Sequence, residues 1–87
     1  MASYSVRIKT SAAKELEVVE PRAIRLRIVA RIQALARTPR PPGTQKLAGE
    51  AERYRLRQGS YRIVYSIDDE ERVVEVVKIG HRREVYR

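Results

Sequence analysis

The last third of the chain carries the pattern that most limits its fold. From Arg53 to Gln58 the residues alternate, with Tyr54, Leu56 and Gln58 on one side and Arg53, Arg55 and Arg57 on the other. Gly59-Ser60 supplies a tight turn. Tyr61 to Asp68 is a second extended run, with Tyr61, Ile63, Tyr65 and Ile67 facing one way and Arg62, Val64 and Ser66 the other. Asp68 to Glu71 makes another turn. Val73 to Ile79 is β-branched on both faces, which suits a central strand, and Gly80 is expected to end it. Three strands joined by turns this short pair as an antiparallel meander.

The first half reads differently. Tyr4 to Lys9 alternates, with Val6 and Ile8 on one side, and is expected to be a strand. Ala12 to Val19 is helix-prone, with Thr10 or Ser11 as the expected cap. Glu20-Pro21 breaks that helix, and Pro21 suits the first position of a second one. From Pro21 to Ala36, Ile24, Ile28, Ile32 and Leu35 recur at helical spacing while Arg22, Arg25, Arg27 and Arg31 fall largely elsewhere on the wheel. Most of these arginines are expected to be solvated, and some can touch a nucleic acid or an acidic partner. Pro39, Pro41, Pro42 and Gly43 rule out helix between Arg37 and Thr44. Lys46 to Glu52 is ambiguous. The expected fold is therefore α+β, ordered β-α-α-β-β-β. An antiparallel sheet has an N-terminal helical hairpin packed on one face, and its other face is left open.

A chain of 87 residues forms one domain, residues 1–87, with a modest core. It has no cysteine, which excludes disulfides, thiol catalysis and cysteine metal sites, and one histidine makes a zinc site unexpected. No metal or other cofactor is expected. No signal peptide or bilayer-spanning run is visible, so no membrane partner is expected and the cytoplasm is the expected location. Lys and Arg number 19 against 11 Asp and Glu, a formal charge of +8. Such a balance draws a small protein towards nucleic acid, an anionic membrane or an acidic protein. The charge is clustered: neither Arg22 to Ala48 nor Arg53 to Ile67 contains an acid.

Alternation places Arg55 and Arg57 on one face, and a tight hairpin brings Arg62 beside them. Like charges on one face repel. A sheet face that is merely wet has the same spacing, but an anion seated there gives the convergence a purpose. The tail beyond Gly80 adds an imidazole (His81), Arg82, Arg83, the Glu84 carboxylate and the Tyr86 phenol. A phenol can stack on a base or bond a 2′-hydroxyl, and an imidazole can carry a proton near neutral pH. A polar C-terminus without a function remains the plainer reading of these residues.

Tyr54-Arg55-Leu56-Arg57 followed by Gly59-Ser60-Tyr61-Arg62-Ile63-Val64-Tyr65 resembles the central hairpin of RelE-type toxins. Gly80-His81-Arg82-Arg83-Glu84-Val85-Tyr86 resembles their C-terminal signature, and the likeness covers essentially the whole chain. The resemblance implies a type II toxin that enters the ribosomal A site and cuts mRNA there, without metal, by attack of the substrate's own 2′-hydroxyl. It implies that Arg62 and Arg82 stabilise the scissile phosphate and that Tyr86 stacks on or orients the substrate. His81 is a candidate proton carrier. Arg55 and Arg57 stand where some members have lysines. Arginine effectively cannot deprotonate, so these two are expected to act by charge alone, and the base falls to His81, Glu84, Tyr86 or none. Arg53, Arg83 and Lys46 are further expected substrate contacts. The implied partners are the ribosome with bound mRNA and a cognate RelB-like antitoxin with an acidic segment. The toxin would form a hetero-oligomer with the antitoxin and be a monomer when free. ParE-like action on DNA gyrase and plain nucleic-acid binding are the alternatives.

Overall fold

The computed structural model describes residues 3–49 and 53–81. Its elements are β1 (Ser5–Ile8), α1 (Thr10–Glu17), α2 (Arg22–Ala34), β2 (Gln45–Lys46), β3 (Arg53–Gln58), β4 (Tyr61–Asp68) and β5 (Val73–His81). They form one five-stranded sheet in the order β1-β5-β4-β3-β2. The α+β class and the antiparallel β3-β4-β5 meander follow the alternation in the sequence.

Three features depart from the expected sheet. β1 pairs parallel with β5, Ser5 opposite Val73 through Ile8 opposite Val76, so the sheet is mixed. The ambiguous segment after the proline loop contributes a two-residue strand, with Gln45 opposite Arg55 and Lys46 opposite Tyr54. β5 is an interior strand, but β4 occupies the middle of the sheet, and Gly80 does not end β5: it pairs with Arg62, and His81 pairs with Tyr61. The β4-β5 register slips between Val64 and Tyr65, where Val64 faces Lys78 but Tyr65 faces Val76. Val77 is thus an extra residue, and a bulge of this kind bends and twists its strand.

The helices begin without side-chain caps. α1 starts at Thr10 with Lys9 in the cap position, rather than being capped by Thr10 or Ser11. The reason is the direct run from strand to helix. The Lys9 amide donates to the Val76 carbonyl (2.9 Å), and the Lys9 carbonyl accepts from Ala13 (2.9 Å). Pro21 caps α2 instead of occupying its first turn. Ala12, Val19, Ile28, Ile32 and Leu35 then bury against Tyr54, Leu56, Ile63, Tyr65, Ile67, Val74, Val76 and Ile79. Burial of this apolar face, at about 25 cal/mol per Å², is the main force holding helices to sheet.

Two polar ties fix the periphery. The proline loop is held by Arg40, whose guanidinium donates to both Asp69 carboxylate oxygens (3.3 and 2.9 Å) and lies over the Tyr54 ring. The Arg40 and Tyr4 hydrogen bonds hold the Asp69 carboxyl below its ordinary range. In the same loop, the Tyr65 hydroxyl donates to the Pro39 carbonyl (2.9 Å), and burial pushes that phenol up. The second tie closes an edge. β1 ends at Ile8, opposite Val76, so it does not cover the end of β5. There the Glu15 carboxylate of α1 accepts from the Ile79 amide (2.9 Å) and the Lys78 ammonium (2.7 Å). A backbone donor on a strand edge needs such an acceptor when water is excluded.

Candidate functional site

The face of the sheet turned away from the helices carries the cations. Tyr54 and Leu56 of β3 and Ile63, Tyr65 and Ile67 of β4 belong to the core. Pleating therefore sends Arg53, Arg55 and Arg57, with Arg62, Val64 and Ser66, to the opposite side. Arg57 stands directly across from Arg62, Arg55 from Val64, and Arg53 from Ser66. The turn permits this register because Gly59 takes φ +60, which suits the first central position of a two-residue hairpin.

Arg62 is the unusual member, at 6% exposure. Its neighbours across the two ladders are Arg57 and Gly80. One is a like charge, and the other has no side chain to fill the space beside it. A guanidinium taken out of water is costly, so this burial does little for stability.

A cleft of about 270 Å³ opens beside Arg62, lined by Arg31, Gly43, Gln45, Arg55, Leu56, Arg57 and Arg62. Four of these seven residues are arginines and none is acidic. Arg55 donates to the Gln45 side-chain oxygen, and Arg57 makes a long bond to the Gly59 carbonyl (3.4 Å). A second hollow on the same face, about 320 Å³, is lined by Lys9, Leu47, Arg53, Arg55, Val64, Val77 and Lys78. Arg55 borders both, so a basic track runs across the open face from the β3 edge towards β5.

Of the residues singled out in the sequence, Arg53, Arg55, Arg57 and Arg62 share this face. Lys46 and His81 are placed elsewhere. The β2 register sets Lys46 opposite Tyr54, on the helix-facing side, and puts Gln45 beside Arg55 instead. His81 pairs with Tyr61 and meets its ring edge-on at 5.7 Å, in a hollow with Glu15, Val18 and Val19. Strand parity is the cause: Gly80, not His81, shares the face of Arg62. Arg82, Arg83, Glu84 and Tyr86 lie outside the described residues.

Arg31, Gln45, Lys9 and Lys78 border the basic hollows without having been singled out as site residues. For Arg31 no local signal exists. It sits on a helix that reads as amphipathic with a solvated basic surface, and only packing brings it to the β3 edge. The cleft offers fixed positive charge in the planar fork geometry that matches phosphate oxygens. None of the described residues that line it can lose a proton near neutral pH. Among the described residues no group of His, Asp and Glu is placed to hold a metal.

The family model described as the ParE toxin of type II toxin–antitoxin systems, parDE, matches residues 6–86. The chain belongs to the RelE/ParE family of type II toxins. It is 32% identical to toxin RelG of Mycobacterium tuberculosis over 84 residues, 97% of each chain. The archaeal RelE–RelB complex from Pyrococcus horikoshii contains a chain that superposes with a TM-score of 0.80 at 30% identity, covering 91% of this chain and 94% of that one. The isolated Escherichia coli RelE toxin matches with a TM-score of 0.75 at 31% identity, covering 95% and 90%. In this RelE/ParE-family toxin the open, arginine-bearing face is thus displayed on a backbone shared with RelE proteins.

Proposed function

We propose that the protein is a ribosome-dependent endoribonuclease that cuts mRNA in the A site, acting in the cytoplasm as the toxin of a toxin–antitoxin pair. The observation that carries this reading is Arg62. It is buried and faced by Arg57, in a cleft where every ionisable lining residue among those described is an arginine. Guanidinium groups gathered in this way match the charge and oxygen geometry of a dianionic phosphorus centre.

In the proposed reaction the 2′-hydroxyl of the A-site nucleotide attacks the adjacent phosphorus in line. Its proton passes to water as the P–O bond forms, and the bond to the 5′-oxygen breaks as that oxygen takes a proton from water. The products are a 2′,3′-cyclic phosphate and a 5′-hydroxyl end. Arg62, with Arg57, donates to the non-bridging oxygens as they gain charge. A preorganised donor of this kind contributes about 3–4 kcal/mol in comparable sites. Arg55 and Arg53 hold the flanking backbone by charge. Arg82 and Tyr86 are assigned the second phosphate contact and the base-stacking contact by their resemblance to the RelE tail. The ribosome supplies the remaining alignment of the mRNA.

The named RelE relatives at 30% identity or above support the RelE branch. Solved relatives crystallised with RelB support a RelB-like antitoxin as the partner, with an acidic segment suited to this chain's charge of +8. The matching family model is named for ParE, which keeps action on DNA gyrase as the second reading. Purified protein added to programmed ribosomes decides between them. Cut mRNA with cyclic phosphate ends supports the nuclease. Intact mRNA together with stalled gyrase–DNA complexes overturns it.

A further inference from the structure

The cleft beside Arg62 does not stay on the open face. β2 pairs only with Tyr54 and Arg55, so β3 from Leu56 onward is not covered by that strand. Around this uncovered edge the cleft takes in Arg31, which comes from α2 in the other layer of the molecule. Arg31 is half-buried, and its one hydrogen bond among the described residues is a long one, Nη1 to the Gln58 Oε1 at 3.5 Å. A guanidinium has five donors, so most of its bonding capacity is not used among the described residues. Opposite it the proline loop presents Gly43, at φ +92 with nothing within 4 Å of where a side chain would begin. The passage between helix and loop is therefore open, and its charged wall is Arg31.

A cation at the far end of a cleft that already holds Arg55, Arg57 and Arg62 adds repulsion. Solvation alone would have turned it outward along the helix surface, as with Arg22 and Arg27. A phosphodiester chain resolves the conflict, because its charges recur at each nucleotide. We propose that Arg31 is a second phosphate subsite. Single-stranded RNA passes over the β3 edge between α2 and the proline loop, with one phosphate on Arg62 and its neighbour along the strand on Arg31. This rests on the nuclease reading for which phosphate Arg62 holds. It adds the direction in which the RNA leaves the site and a binding residue on a helix.

The test uses a short single-stranded RNA with a 2′-deoxy nucleotide at the cleavage position. One phosphate at a time is replaced by an uncharged methylphosphonate. Binding to the purified toxin is followed by fluorescence anisotropy across a salt series. Arg31→Gln should weaken binding of the unmodified RNA by roughly tenfold, as expected for loss of a charged hydrogen bond. It should also lower the salt slope by about one. When the methylphosphonate sits next to the scissile phosphate on the exit side, Arg31→Gln should cost less than about twofold, since the partner charge is already gone. Arg31→Lys should recover part of the affinity, and an unchanged thermal midpoint will show that both variants fold. An equal penalty at every methylphosphonate position, or no penalty at all, overturns the subsite. If this coupling is found but all-ribose mRNA is never cut on programmed ribosomes, the nuclease reading is overturned and the subsite stands. No RNA binding by the wild type overturns the subsite, and the nuclease reading is then decided by cleavage on programmed ribosomes alone.

Discussion

Replacing Arg62 by Met separates a catalytic arginine from a structural one, because the two roles predict opposite changes in stability. Arg62 is 6% exposed and stands across the ladder from Arg57. Charged ends of cross-strand neighbours roughly 6 Å apart repel by about 3 kcal/mol at an effective dielectric near 20. Arg57 is exposed, so its end can swing into water, and screening reduces the penalty to about 1 kcal/mol. Methionine keeps most of the apolar stem and removes the buried charge. Relief of the Arg57 repulsion is then the expected gain, about 1 kcal/mol. For a domain of this size each kcal/mol moves the midpoint by roughly 4–8 °C. Arg62→Met should therefore melt at or several degrees above the wild type, as read by circular dichroism. Arg62→Ala also loses two buried methylenes, about 1.6 kcal/mol, and should fall near the wild type. Both should cut mRNA on programmed ribosomes about 10²–10³-fold more slowly, the loss expected for one preorganised donor. A clear drop in midpoint for Arg62→Met, with cleavage within threefold of the wild type, would refute the reasoning: Arg62 would then be a structural cation.

Other expectations follow from the ties around the site. Glu15→Ala leaves the Ile79 amide without its acceptor and should destabilise the protein by about 1–2 kcal/mol in urea titration, whereas Glu15→Gln, which still accepts, should lose less than half of that. The Asp69 carboxyl is held low by Arg40, so its contribution is present above the unfolded carboxyl pKa and disappears as pH falls through the folded value. The midpoint difference between wild type and Asp69→Asn should accordingly be constant at neutral pH and vanish in acid. A difference that persists unchanged at pH 2 would rule this out. Gly59→Ala forces φ +60 on a residue with a Cβ and should cost about 1–2 kcal/mol by chemical denaturation, with the hairpin register kept.

Much of the site is legible in the sequence because strand parity is a local rule. Once Tyr54, Leu56, Ile63 and Tyr65 are assigned to the core, Arg55, Arg57 and Arg62 have one face left to them. The same rule, carried two residues further, puts His81 with Tyr61. Gly80 hides this in the sequence because it reads as a terminator, whereas pairing with Arg62 carries β5 through it. The direction of Lys46 is not legible for a related reason: a two-residue strand has no period of its own, and only its partner fixes which way Lys46 and Gln45 point.

By itself the sequence determined the two helices and every strand but β2, the amphipathic split between core and charged face, and the convergence of Arg55, Arg57 and Arg62, since helical and strand periods and short turns act over a few residues. Tertiary structure decided that β1 lies parallel to β5, that Glu15 closes the end of β5, and that Arg31 reaches the β3 edge. Those outcomes depend on contacts between segments tens of residues apart. They are selected by how the helices bury their apolar faces on the sheet, and no local repeat records that choice.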